Sequence, residues 1–140
     1  MIVVFVKNDI DVLDSGYKDA HDSSVFGIPY AYVKSLWPAA RLEKKENLFI
    51  TAHGNKKLIG DVGPTLELDA GTLAGIIKQI IPSGYTGDIY MSTCNSFEYA
   101  KALKKALGVV TSGSDFYGTK KSIDYKIEGP DGSNWHRVTA

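Results

Sequence analysis

The chain has a single cysteine, Cys94, so it closes no internal disulfide and builds no metal site from cysteines. That suits a reducing compartment and leaves a secreted effector open. It also lacks an excess of either charge. Its 16 basic and 16 acidic side chains cancel, which removes the global field that draws a protein to nucleic acid or an anionic membrane. No apolar run approaches the roughly 20 residues that span a bilayer. The opening MIVVFVKNDID has a short apolar run with no basic region before it and no small-residue cleavage site after it, and reads as a buried strand, not a signal peptide. Phosphate-cradling glycine loops, metal-ligand clusters, nucleic-acid signatures, repeats and low-complexity tracts are all missing. The expectation is one soluble domain over residues 1–140, with no membrane span and no nucleic-acid partner. It would be cytoplasmic, delivered to the cytosol of a host or target cell, or a piece of something larger.

What is present is an alternation of short apolar runs and amphipathic stretches. Ile2 to Val6 reads as a strand buried on both faces. Pro29 suits the first turn of a helix carrying Tyr30, Val33 and Trp37, which Pro38 stops. Leu48 to Ala52 is a second strand running into His53-Gly54, and Leu58 to Gly60 can return as a hairpin. Asp69 caps a helix with Leu73, Ile76, Ile77 and Ile80 on one stripe. Ile89 to Thr93 is a third strand running into Cys94. Asn95 and Glu98 then form a capping-box pattern for a helix with Tyr99, Ala102, Leu103, Ala106 and Leu107 inward. Val109-Val110 begins a fourth strand after Gly108. Alternation through Ile123, Tyr125 and Ile127, a Gly-Pro-Asp-Gly turn, then Trp135 and Val138 predict a C-terminal hairpin. The order implies an α/β fold with a mostly parallel sheet and helices on both faces. Sites in such sheets gather outside the carboxyl ends of the strands, where His53 and Cys94 both fall.

A thiolate nucleophile needs a neighbour that takes its proton or stabilises its charge. Cys94 lies between a strand end and a helix start, where the backbone dipole favours negative charge. His53 can hold and shuttle the proton. Gly54, without a Cβ, lets its N–H approach a substrate carbonyl, and with the Cys94 N–H it can form an oxyanion hole. A lone cysteine ending a strand is otherwise a small buried hydrophobe, and His53 a turn residue. The pairing is what sets the reading apart. His21 and His136 have no comparable context.

LFITAHG followed by a hairpin, a helix and then DIYMSTC resembles the caspase-like cysteine peptidases, a superfamily that includes caspases, legumains, gingipains, separases and the self-processing domains of large bacterial toxins. The toxin-processing branch is the most similar. Thr93 and Asn95-Ser96 depart from the residues that often flank the cysteine there. The resemblance implies a three-layer caspase-like sandwich and a cysteine endopeptidase, possibly self-processing, acting on a peptide or protein through a Cys94–His53 dyad. It implies that Asp115, after the fourth strand, belongs to the pocket for the residue before the cut and favours a basic side chain; the plainer reading is a solvated carboxylate. It also implies a basic surface beside the hairpin, from Lys120, Lys121, Lys126 and Arg137, that takes inositol hexakisphosphate; the plainer reading is a solvated face. No other cofactor is called for. Two rival readings stay open. One is a silent caspase-like module that binds a partner protein, and the other is a different Cys-His enzyme such as a deamidase or acyltransferase.

Overall fold

Two runs of four consecutive buried residues form the middle of the sheet, as expected of parallel strands covered on both sides. The computed structural model describes residues 2–4, 32–33, 42–60, 67–121 and 134–139. In chain order the strands are β1 (Ile2–Val4), β2 (Tyr32–Val33), β3 (Leu48–Thr51), β4 (His53–Gly54), β5 (Ile59–Gly60) and β6 (Glu67–Leu68), followed by β7 (Ile89–Ser92), β8 (Phe116–Gly118) and β9 (His136–Arg137). The helices among the described residues are α1 (Ala70–Ile77) and α2 (Phe97–Leu107). The main sheet has the order β2-β1-β3-β7-β8-β9, and β4-β5-β6 form a small antiparallel sheet. Along the described part of the main sheet every pairing from β2 to β8 is parallel, and β9 alone runs against its neighbour. The fold is mixed α/β with a mostly parallel sheet. Among the described residues no helix is long and apolar enough to cross a membrane.

Asp69 caps α1 as its sequence position suggests, its carboxylate accepting from the Thr72 N–H at 2.8 Å. Leu73, Ile76 and Ile77 are buried along the helix, and Ile80 is buried just beyond it. The crossovers β3–α1–β7 and β7–α2–β8 step the same way across the sheet, so right-handed connection puts both helices on one face. Contact between α1 and α2 agrees with this. Gly118 shows how tightly α2 seats, because a Cβ there would come within 2.7 Å of the Phe97 Cα.

Side chains alternate along a strand, so Tyr117 faces away from α2. In register with it, Phe49, Tyr90 and Tyr117 form a stacked ladder across three strands, with centroids 4.5 and 4.7 Å apart. Trp135 sets its edge against Phe49 and Tyr90. Helices were expected on both faces; the described helices lie on one, and the ladder with Trp135 occupies the other.

Four local expectations are corrected. Tyr32–Val33 is a strand paired with β1, where a helix from Pro29 to Trp37 was expected. Val109-Val110 is no strand: it lies in a 3-10 turn over Gly108–Thr111, with Val109 87% exposed, and the next strand begins only at Phe116. Ser96, not Asn95, occupies the N-cap of α2, and no side chain caps that helix. Ala102 is exposed, and Ala100 takes the buried position. Most of the expected C-terminal hairpin, residues 122–133, lies outside the described residues, and β9 pairs with β8.

Candidate functional site

The register of the two central strands places the candidate pair. Thr51 of β3 is opposite Ser92 of β7. His53 and Cys94 each lie two positions beyond that matched pair, past the carboxyl ends of parallel strands about 4.8 Å apart. Both therefore leave the main sheet at its carboxyl edge.

His53-Gly54 does not simply extend β3. After the bend at Ala52 it becomes β4 and pairs with β5, His53 opposite Gly60 and Gly54 opposite Ile59. Asn55 shapes the return, its side-chain oxygen accepting from the N–H groups of Lys57 and Leu58 at 2.8 and 2.9 Å. The Asn55 N–H donates to the Leu58 carbonyl at 3.0 Å. Bonded and unbonded pairs alternate in an antiparallel ladder, so Gly54 is at an unbonded position and its N–H faces away from β5. Gly54 is also where the two segments meet. A Cβ there would lie 2.9 Å from both Cβ and Oγ1 of Thr93, the residue before Cys94. Only glycine lets β4 lie this close to the cysteine-bearing turn.

That turn is held from the other side by the residues after β8. Cys94 is half-buried, and Asn95 takes the left-handed conformation at φ 51° that reverses the chain toward α2. The Asn95 N–H donates to the Lys121 carbonyl at 3.0 Å and the Phe97 N–H to the Thr119 carbonyl at 2.9 Å. Inside, the Ser96 hydroxyl donates to the Met91 carbonyl at 2.7 Å and accepts from the Thr119 N–H at 2.9 Å. The Thr119 hydroxyl donates to the Thr93 carbonyl at 2.6 Å and accepts from the Ser96 N–H at 3.3 Å. Ser96, Thr93 and Thr119 are all buried. The Thr93 hydroxyl has no partner among the described residues. Sequence reasoning missed Ser96 and Thr119 as parts of the site, since small hydroxyl residues near a turn give no distinctive signal.

Nearby is a hollow of about 240 Å³, lined by Lys56 from the turn after β4, by Asn95, Phe97 and Glu98, and by Thr119 and Lys120. The Lys120 ammonium stands 4.6 Å above the centre of the Phe97 ring. Lys120 and Lys121 thus flank the cysteine turn.

Asp115 and Arg137 do not join them. Asp115 precedes β8, whose first residue, Phe116, is in register with Ile89 at the start of β7. It therefore sits at the amino edge of the sheet, six residues along from Cys94, or about 20 Å at strand rise. There it pairs with Arg137 at 3.6 Å and lines a separate hollow of about 720 Å³ with Lys104, Lys105 and Thr111. Asp115 is set apart from the cysteine turn because β8 begins after this residue, where a strand ending before it was expected. Arg137 lies opposite Tyr117 and pairs with Asp115, and Lys126 lies outside the described residues. Burial, then the carboxylates of Asp88 and Asp115, push the Tyr117 phenol above its usual range at that same edge. Among the described residues no group of three or more His, Cys, Asp or Glu is placed to hold a metal ion.

No family model, curated protein or solved structure matches the chain.

Proposed function

We propose that this chain is a caspase-like cysteine hydrolase that cleaves a peptide bond with Cys94 as nucleophile and His53 as proton carrier. The observation that carries the reading is the matched register of β3 and β7, with His53 and Cys94 each two residues past the Thr51–Ser92 pair and Gly54 lying against Thr93. A parallel sheet whose adjacent strands deliver a histidine and a cysteine to the same edge supports the resemblance to the caspase-like superfamily.

In the proposed reaction His53 takes the Cys94 thiol proton, and Sγ attacks the carbonyl carbon. The oxygen of the tetrahedral intermediate accepts from the N–H groups of Gly54 and Cys94. Collapse breaks the C–N bond, and the leaving amine takes the proton back from His53. Water then attacks the thioester, giving its proton to His53. Release of the acid returns the proton to sulfur. The proton lost to the amine in the first half-reaction is replaced from water in the second, so the pair ends the cycle as it began and no other reagent is needed.

A mixed peptide library incubated with the protein tests this. Cleavage is expected, abolished by Cys94→Ala and reduced about a hundredfold or more by His53→Ala. A thiol that reacts with electrophiles while every peptide survives would overturn hydrolysis and favour deamidation or acyl transfer.

A further inference from the structure

We infer that Thr119 is a positioning residue for the oxyanion hole, acting through the peptide plane between Thr93 and Cys94; the inference rests on the hydrolase reading above. The Thr119 hydroxyl donates to the Thr93 carbonyl at 2.6 Å, a short hydrogen bond beside the cysteine. That carbonyl and the Cys94 N–H belong to one rigid amide, and no cis peptide occurs among the described residues. In a trans amide the two groups point in opposite directions, so fixing one aims the other.

The direction follows from the strand order. Thr119 follows β8, on one side of β7, while His53-Gly54 follows β3, on the other. With the Thr93 carbonyl drawn toward Thr119, the Cys94 N–H points to the side from which His53-Gly54 emerges. The two proposed oxyanion donors are thereby brought to one side of the thiol. A hydrogen bond accepted by the carbonyl also polarises the amide and strengthens its N–H as a donor.

Thr119 is itself held firmly. It is buried, its N–H donates to the Ser96 hydroxyl at 2.9 Å and its own hydroxyl accepts from the Ser96 N–H at 3.3 Å. Since Ser96 anchors to the Met91 carbonyl inside β7, the hydroxyl of Thr119 is referenced to the sheet and not to a loose loop.

The experiment compares wild type, Thr119→Val, which keeps the shape and loses the donor, and Thr119→Ser, which keeps the donor. Two rates are read per titrated thiol: hydrolysis of a peptide substrate, which passes through an oxyanion, and alkylation of Cys94 by iodoacetamide, which does not. In Thr119→Val, kcat is expected to fall tenfold to a hundredfold, less than the full loss of a donor, with KM and alkylation within twofold of wild type. Thr119→Ser should recover most of kcat. The Cys94 amide resonance should shift in the Val variant and return in the Ser variant. Unchanged kcat in Thr119→Val, a parallel loss of alkylation, or an unmoved amide resonance overturns the inference and leaves the hydrolase reading standing. A wild-type protein that hydrolyses no peptide overturns both together.

Discussion

Gly54 and Ser96 show how single side chains fix the candidate site. At Gly54 the side chains of Thr93 and of Ile59 in β5 leave no room for a methyl group, and Thr93 is buried and cannot swing away. Gly54→Ala should therefore separate β4 from the cysteine turn. It is expected to lower stability by about 1–3 kcal/mol, as overpacking in a closed interior does, and to depress peptide cleavage further than that loss explains. A urea titration beside a kinetic assay checks both. Ser96→Ala removes the partner of the Met91 carbonyl and of the Thr119 N–H at once. Leaving buried polar groups unpaired costs about 1–3 kcal/mol, so a similar destabilisation is expected in the same titration. Neither effect was legible in the sequence. The hydrogen bonds of Ser96 to Thr119 join residues 23 apart in the chain and that of Thr119 to Thr93 joins residues 26 apart, and no local pattern announces such pairs. His53, Gly54 and Cys94 were legible because each terminates an apolar run, which is a local signal.

Strands and helices were readable where burial and caps agreed, and misread where a long-range pairing or a tertiary hydrogen bond overrode them. β3, β7 and α1 combine continuous burial or a side-chain cap with apolar spacing, and they form as expected. Tyr32–Val33 follows helical spacing after Pro29, yet pairing with β1 makes it a strand. Val109-Val110 has β-branched side chains but stays in a turn, because Gly108 at φ 62° ends α2 and the chain has not yet reached the sheet. Asn95-Ser96 looks like a cap, but the Ser96 hydroxyl is committed to Met91 and Asn95 reverses the chain. The cap of α1 carries a pH signature. Hydrogen bonds from Thr72 hold the Asp69 carboxyl below its ordinary value. A lowered folded value means the cap stabilises fully above the unfolded aspartate range and is lost as pH falls through the folded value. Asp69→Asn should therefore flatten the acid limb of the stability curve and leave its course near neutral pH parallel to wild type. Thermal melts across pH 2 to 7, a window set around the unperturbed aspartate value of about 3.9, read this directly. Tyr99 joins α2 to β6, its hydroxyl donating to the Leu68 carbonyl at 3.0 Å while burial, then the Asp69 charge, push its pKa above the usual tyrosine range.

Across the molecule the sheet has two differently built ends. The carboxyl edge brings together His53, Gly54, Cys94 and the residues after β8, with glycine at the point of closest approach. The amino edge carries Asp88, Asp115 and Arg137 beneath the aromatic ladder, and its ion pair is exposed. Exposed pairs contribute about 0–1 kcal/mol, so Arg137→Ala should shift the urea midpoint little and leave cleavage unchanged. A large loss of cleavage would put Arg137 back in the site. The ladder is a different matter. Phe49 is fully buried between Tyr90 and Trp135, and Phe49→Ala is expected to cost about 3–5 kcal/mol. The central claim concerns the other edge, and the rate of Cys94 alkylation in the native protein at neutral pH tests it most directly. The expected result is labelling faster than that of a free thiol such as glutathione, slowed at least tenfold by His53→Ala in a variant that melts like wild type. Labelling that needs denaturant, or that proceeds equally fast without His53, would contradict a Cys94–His53 pair.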